Sequence, residues 1–162
     1  MKKGFLALTR TVAGVAAGAV VGAVAVKKLQ GLGVDEKDAR IDKFKTYYNM
    51  LNQWLIIKHD GKSLEKYFID NNYNTIAIYG MGEIGNRLYE DLQNTSVAVK
   101  YAVDQNAAGT YTDLEVQGIE DEFAEVDAIV VTATFAFDEI EEELSKKVDF
   151  PIISLEEVVY GI

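Results

Sequence analysis

A strand that runs directly into a glycine turn and out into a helix leaves a chain few folds to choose from. Thr75-Ile76-Ala77-Ile78-Tyr79 is rich in β-branched and aromatic residues and predicts a strand. Gly80-Met81-Gly82-Glu83-Ile84-Gly85 follows at once, and Asn86 to Leu92 then has helical spacing. Each glycine meets a separate demand: Gly80 makes the tight turn, Gly82 lets a pyrophosphate approach the backbone, and Gly85 lets helix and strand pack closely. The helix start adds free amides and the positive end of a dipole, both suited to phosphate.

The residues that follow extend this unit. Val97 to Val103 predicts a second strand ending in Asp104, 19 residues beyond Gly85. An acid at that distance accepts hydrogen bonds from ribose hydroxyls and repels a 2′-phosphate, so NAD is preferred to NADP. Asp127-Ala128-Ile129-Val130-Val131-Thr132 is a nearly unbroken apolar run, as expected of a strand buried on both faces of a parallel sheet. Thr132, Ala133 and Thr134 stand at its carboxyl end, where open α/β sheets bind ligands. A helix is expected from about Phe137 to Lys147 with Ile140 and Leu144 inward, and Pro151 to Ser154 reads as the last strand. The predicted fold is α/β, a small Rossmann-like parallel sheet over residues 74–162. The cofactor-binding candidates are Gly80, Met81, Gly82, Glu83, Ile84, Gly85, Asp104, Thr132 and Thr134.

Composition narrows the chemistry. Cysteine is absent and His59 is the single histidine, which removes thiolate nucleophiles, thiolate metal sites and most histidine catalysis. Residues 1–33 carry Lys2, Lys3, Arg10, Lys27 and Lys28 and no acid, a charge of +5. With −10 for the whole chain, residues 34–162 carry −15. A body this acidic repels nucleic acid, whereas the basic first segment is drawn to anionic lipid head groups.

That first segment contains sixteen uncharged residues, Thr11 to Val26, which as a helix span roughly 24 Å. Including Phe5 to Leu8 extends the span to roughly 33 Å, enough to cross a bilayer if Arg10 snorkels. Gly14, Gly18 and Gly22 fall four residues apart and form a zipper stripe on one helix face, so a homo-oligomer or a partner helix is expected there. Three readings stand: a membrane-anchoring helix over residues 5–26, a cleaved signal peptide with Ala23-Val24-Ala25 as its site, and an Ala/Gly-rich helix packed on a partner. The first keeps the α/β domain on the cytoplasmic side, where nucleotide is found.

Residues 34–73 read as a helical connector. Gly31-Leu32-Gly33 breaks the first helix, and Asp35, Glu36 and Asp38 offer chemistry for starting the next. Ile41, Phe44, Tyr48, Leu51 and Leu55 recur at helical steps to about Lys58, with Trp54 and Ile56 widening the stripe. This stripe is expected to pack on the α/β domain; the alternative makes Tyr47, Tyr48 and Trp54 a partner or membrane-interface surface. Ser63 predicts the cap of a short helix with Leu64, Tyr67 and Phe68 inward, ending near Asn71-Asn72. His59 reads as a solvated loop residue.

No catalytic constellation is found. No Tyr stands four residues before a Lys, as short-chain dehydrogenases and sugar-nucleotide epimerases require. The acids Asp138, Glu139, Glu141, Glu142 and Glu143 share one helix and cannot converge on one cation, so no metal site is expected.

Ile78 to Leu88, Tyr101 to Asn106 and Asp127 to Thr134 together resemble the N-terminal Rossmann-like domain of bacterial polysaccharide-biosynthesis proteins. That resemblance covers residues 75 to about 158 and includes an abbreviated middle section, Gly109 to Glu125. Met81 stands where that group commonly has Ala, and no catalytic module is expected after Ile162. The resemblance implies binding of NAD or a nucleotide-sugar. The expected function is a membrane-tethered, non-catalytic nucleotide-binding accessory protein of cell-envelope polysaccharide assembly. The alternatives are a cofactor-binding subunit of an oxidoreductase or sugar-nucleotide-modifying enzyme, and a non-binding structural interaction module.

Overall fold

The computed structural model of the chain describes residues 37–38, 40–109 and 113–162. The membrane-type helix expected over residues 5–26, with Gly14, Gly18 and Gly22, lies outside them. Among the described residues no helix is long and apolar enough to cross a membrane. The chain divides into two compact units, Met1–Lys45 and Thr46–Ile162. In the first, residues 37–38 and 40–45 are helical.

The second unit opens on a helix over residues 46–59 (α1), followed by α2, Glu65–Asp70. Five strands come next: β1, Thr75–Tyr79; β2, Ala98–Val103; β3, Val116–Gln117; β4, Ala128–Val131; and β5, Ile152–Ser154. All pair in parallel, in the order β3-β2-β1-β4-β5. Helix α3, Glu83–Leu92, connects β1 to β2, α4, Phe137–Leu144, connects β4 to β5, and α5, Leu155–Tyr160, closes the chain. The strand order reverses between β1 and β4, so their carboxyl ends diverge into loops on opposite faces and leave a crevice.

Alternation along the strands sends side chains into two cores. Ile76, Ile78, Ala128 and Val130 meet Leu88 and Leu92 of α3, Leu155 and Val158 of α5, and Phe68 of α2 on one face. Ala77, Tyr79, Ile129 and Val131 meet Ile140 and Leu144 of α4 on the other. Both faces of β1 and β4 are therefore buried, which is why their sequences are apolar without interruption.

Local chemistry accounts for the element ends. The Ser154 hydroxyl accepts from the Glu156 N–H at 3.2 Å and caps α5, whereas the N-cap of α2 is Leu64 rather than the expected Ser63, whose hydroxyl accepts from the Glu65 N–H at 3.2 Å one residue ahead of that cap. Between β2 and β4 the described residues contain a 3-10 turn, Ala107–Gly109, and the two-residue β3, with no α-helix.

The amphipathic stripe is corrected. Ile41 and Phe44 of the first unit are 61% and 72% exposed, and in α1 Tyr48 and Leu55 are 70% and 58% exposed. The residues that α1 buries are Met50, Trp54 and Ile57, with Tyr47 and Leu51 partly covered. The apolar residues of this helix form two stripes, and the sheet takes the one carrying Trp54. A buried Trp needs a partner for its N–H, and Trp54 Nε1 donates to Asp91 Oδ2 on α3 at 3.1 Å, beside the Lys58–Asp91 ion pair. His59 is exposed, as expected, but it is the last residue of the helix rather than part of a loop.

Candidate functional site

The turn between β1 and α3 lies at the carboxyl edge of the sheet, and its three glycines face different surroundings. Gly80 has φ +92°, a backbone that disfavours any Cβ, and a Cβ there would stand 2.8 Å from the Thr132 hydroxyl. At Gly85 a Cβ would overlap the Gly80 carbonyl, so this glycine is required for α3 to approach β1. Gly82 has φ −71° and ψ −162°, which any residue can adopt, and a Cβ there would meet nothing within 4 Å.

Gly82 is also the N-cap of α3, and no side chain caps the helix there. The first amides of α3 have no acceptor within their own helix, and they sit at its positive end. Met81 is buried and Ile84 half-buried against the core, so both offer a ligand only their backbone. Glu83 is exposed in the first turn, where its charge suits the helix dipole and opposes a bound phosphate.

Asp104 and Thr132 brace the turn. Asp104 Oδ2 accepts the Met81 N–H at 2.8 Å, its Oδ1 accepts the Asn106 N–H at 2.8 Å, and its own N–H donates to the Gln117 carbonyl at 3.0 Å. The Thr132 hydroxyl is buried and donates to the Gly80 carbonyl at 2.7 Å, with the Tyr79 carbonyl 3.2 Å away. Both side chains expected to meet a ligand thus hold the glycine turn to the neighbouring strands. Each Asp104 oxygen keeps lone-pair capacity for a second donor.

Thr134 differs. It begins a 3-10 turn, Thr134–Ala136, that leads into α4, and its buried hydroxyl oxygen has no hydrogen-bond partner. A recess of about 180 Å³ lies against it, with Phe137, Asp138 and Glu139. The larger crevice beside it, about 350 Å³, is lined by Tyr79, Gly80, Asp104, Ala133, Glu139 and Glu143. No cation lines either cavity. The Tyr79 phenol is held above the usual tyrosine range, first by burial and then, against the Gln105 hydrogen bond, by the Glu143 and Asp104 charges. The described walls of both cavities are therefore electronegative and disfavour an anionic group.

Five participants, Tyr47, Tyr79, Gln105, Gln117 and Phe135, are absent from the cofactor-binding candidates drawn from the sequence. The Tyr47 hydroxyl donates to the Thr132 carbonyl at 3.3 Å, and its ring meets Phe135 edge-on at 6.0 Å, so α1 reaches the loop that ends β4. The Gln105 side-chain amide donates to the Tyr79 hydroxyl at 3.4 Å. The side-chain carbonyl of Gln117 is buried without a partner at the end of β3, next to Asp104. The alternation Leu114-Glu115-Val116-Gln117 was the signal for β3; nothing in the sequence links Tyr47 to Thr132.

Among the described residues no group of three or more His, Asp or Glu side chains is placed to hold a metal ion. No known protein family, curated protein or solved structure matches this chain.

Proposed function

We propose that this chain is a membrane-tethered module that holds NAD or a nucleotide-sugar on a Rossmann-like sheet without transforming it, as an accessory to cell-envelope polysaccharide assembly. Gly82 carries the ligand half of the reading. The fold explains Gly80 through its positive φ and Gly85 through close packing, but it makes no demand at Gly82. A glycine with open space over it, at an uncapped helix N-terminus, suits a pyrophosphate that approaches the backbone. The five strands follow the first five places of the 3-2-1-4-5-6 order, and the reversal point adjoins this turn. Thr134, with its buried and unpartnered hydroxyl, lies against the smaller recess next to the crevice. The assignment to polysaccharide assembly rests on the resemblance of residues 75–158, and the tether on the sequence of residues 5–26.

Native mass spectrometry of freshly purified full-length protein tests the ligand half by the mass of any retained nucleotide. Calorimetry with NAD, NADP, UDP-sugars and CDP-sugars follows. Binding of one of them is expected; no retained mass and no heat at millimolar concentration overturn the reading. The tether is tested by fractionation, and its zipper by crosslinking Gly18→Ile in membranes, which should lower the dimer yield.

A second reading, a structural interaction module without a ligand, is favoured by the hydrogen bonds of Asp104 and Thr132. Both side chains have structural work whether or not a nucleotide is present.

A further inference from the structure

We propose that the outward face of α1, formed by Tyr48, Leu51, Leu55 and Ile56, is covered by the same face of a second copy of this chain, across a two-fold axis that passes close to Asn52. The pairing is independent of both the nucleotide and the tether in the reading above.

The face is fixed in place. Met50, Trp54 and Ile57 are buried in the core beneath it, and Trp54 is hydrogen-bonded to Asp91, so α1 cannot roll to hide its other stripe. Tyr48, Leu55 and Ile56 are exposed, and Leu51 is half-buried. Residues 48, 51 and 55 follow steps of three and four, the spacing with which one helix presents knobs to another. Beside this ridge a groove of about 410 Å³ runs to α3, with Leu51, Trp54 and Leu55 on its α1 side.

Charge selects the occupant by its absence. Residues 46–57 contain no charged side chain, in a chain with 26% charged residues, so this face offers nothing to an anionic head group, a nucleic acid or a charged peptide. At the rim of the groove the charges cancel within the chain, Lys58 with Asp91 and Arg87 with Glu90. The unit as a whole is different: residues 46–162 carry seven cations against twenty-two acids, so two copies repel one another wherever acidic surfaces meet. Apolar contact without that repulsion is left at α1. The face is also its own complement, because it places a ridge next to a groove, and a two-fold axis seats each copy's ridge beside the other's groove. Its exposed polar residues, Asn49 and Asn52, carry amides that both donate and accept, so each can meet an amide of the other copy without leaving a group unpaired. Residue 52 stands near the middle of the ridge, which puts the axis there when the two helices run antiparallel. A single helix face makes a small interface, so association is expected in concentrated protein, and dilute melts report the separate chain.

The absence of cysteine makes the test direct, because a single introduced Cys carries a label uniquely. Full-length protein with a nitroxide at Tyr48→Cys, Asn52→Cys, Leu55→Cys or, as a control on α4 at the opposite face of the sheet, Glu142→Cys is concentrated in nonionic detergent. Spin–spin broadening is then read by electron paramagnetic resonance. Broadening should be strongest at 52, present at 48 and 55, absent at 142, and abolished by an excess of unlabelled protein. Leu55→Asp, added to the chain labelled at 52, changes a side chain that is 58% exposed in the separate chain, so it should leave the circular dichroism unchanged and weaken the broadening severalfold. No broadening at 48, 52 or 55 in concentrated protein overturns the proposal. Broadening that is equal at 142, or that survives Leu55→Asp, puts the association elsewhere and overturns it too. In phosphatidylcholine vesicles, labels at 48 and 55 that gain access to oxygen and lose access to a water-soluble nickel chelate without broadening assign the face to lipid, with the same consequence. Calorimetric binding of nucleotide is unaffected by any of these outcomes.

Discussion

The backbone N–H of Met81 donates to Asp104 Oδ2 at 2.8 Å, which ties the glycine turn after β1 to the end of β2. The other carboxylate oxygen accepts from Asn106, so one side chain orders two loops on the ligand side of the sheet. Asp104→Ala removes both acceptors and should cost about 2 kcal/mol, the scale of charged hydrogen bonds lost from a half-buried site. Asp104→Asn should cost about 1 kcal/mol, because one acceptor remains while an NH2 group meets a donor. If the crevice holds a dinucleotide, Asp104→Asn should also narrow its preference for NAD over NADP by about 1 to 3 kcal/mol. Thermal melts and calorimetry read the two effects separately, and unchanged discrimination would show that this carboxylate does not face the ribose.

The glycines separate fold from ligand. Gly82→Ser places a good N-cap residue in an allowed conformation with open space around its Cβ, so stability should change by no more than about 0.5 kcal/mol. Nucleotide binding, by contrast, should be lost. Gly85→Ala drives a methyl group into the Gly80 carbonyl, a backbone atom that cannot step aside, and should cost about 3 kcal/mol. Denaturant melts of the two variants beside a binding isotherm decide the matter. A Gly82→Ser protein that still binds would remove the observation on which the ligand reading rests.

Neighbouring residues on α1 should respond in opposite ways. Trp54→Ala opens a cavity and strands Asp91 without its indole donor, at a cost of about 3 to 5 kcal/mol. Leu55→Ala trims an exposed side chain and should stay within about 0.5 kcal/mol. Equal destabilisation by both in urea would mean that the Leu55 face is covered in solution.

Two groups contribute to the pH dependence of the fold in opposite senses. The Asp127 carboxyl is held below its ordinary range by the Thr75 N–H, the Thr75 hydroxyl and the Asn74 N–H, which join the start of β1 to that of β4. Because the folded value is the lower one, this contribution is complete above the ordinary aspartate range and disappears as pH falls through the depressed value. Asp127→Asn should therefore flatten the acid limb of a stability profile. Burial pushes the Tyr101 phenol up to about 12, so its contribution is complete below the ordinary tyrosine value of 10.0 and is lost as pH rises towards 12. Tyr101→Phe should flatten the alkaline limb of melts recorded across that window.

Short-range chemistry determined much of the unit from Thr75 onward. The strand Thr75–Tyr79 is recognisable because burial on both faces demands an unbroken apolar run, and the turn that follows because Gly80 and Gly85 answer steric demands set within a few residues. Helix α5 was legible too, through Ser154 and a Glu three residues later, the pattern of a capping box, although the sequence reading ends with the strand at Ser154.

What tertiary structure decided was the use of residues that meet only in space. Helical periodicity identified α1 but allowed two apolar stripes, and the choice went to the side where Trp54 finds Asp91, 37 residues away. The spacing from Gly85 to Asp104 marked the acid, but the fold alone shows that its carboxylate already accepts the Met81 amide. Tyr47 reaches Thr132 across 85 residues, a pairing that no local pattern encodes. Steric and hydrogen-bonding demands between near neighbours leave a trace in sequence order. The partner of a buried polar atom does not, because it is set by how the helices pack on the sheet.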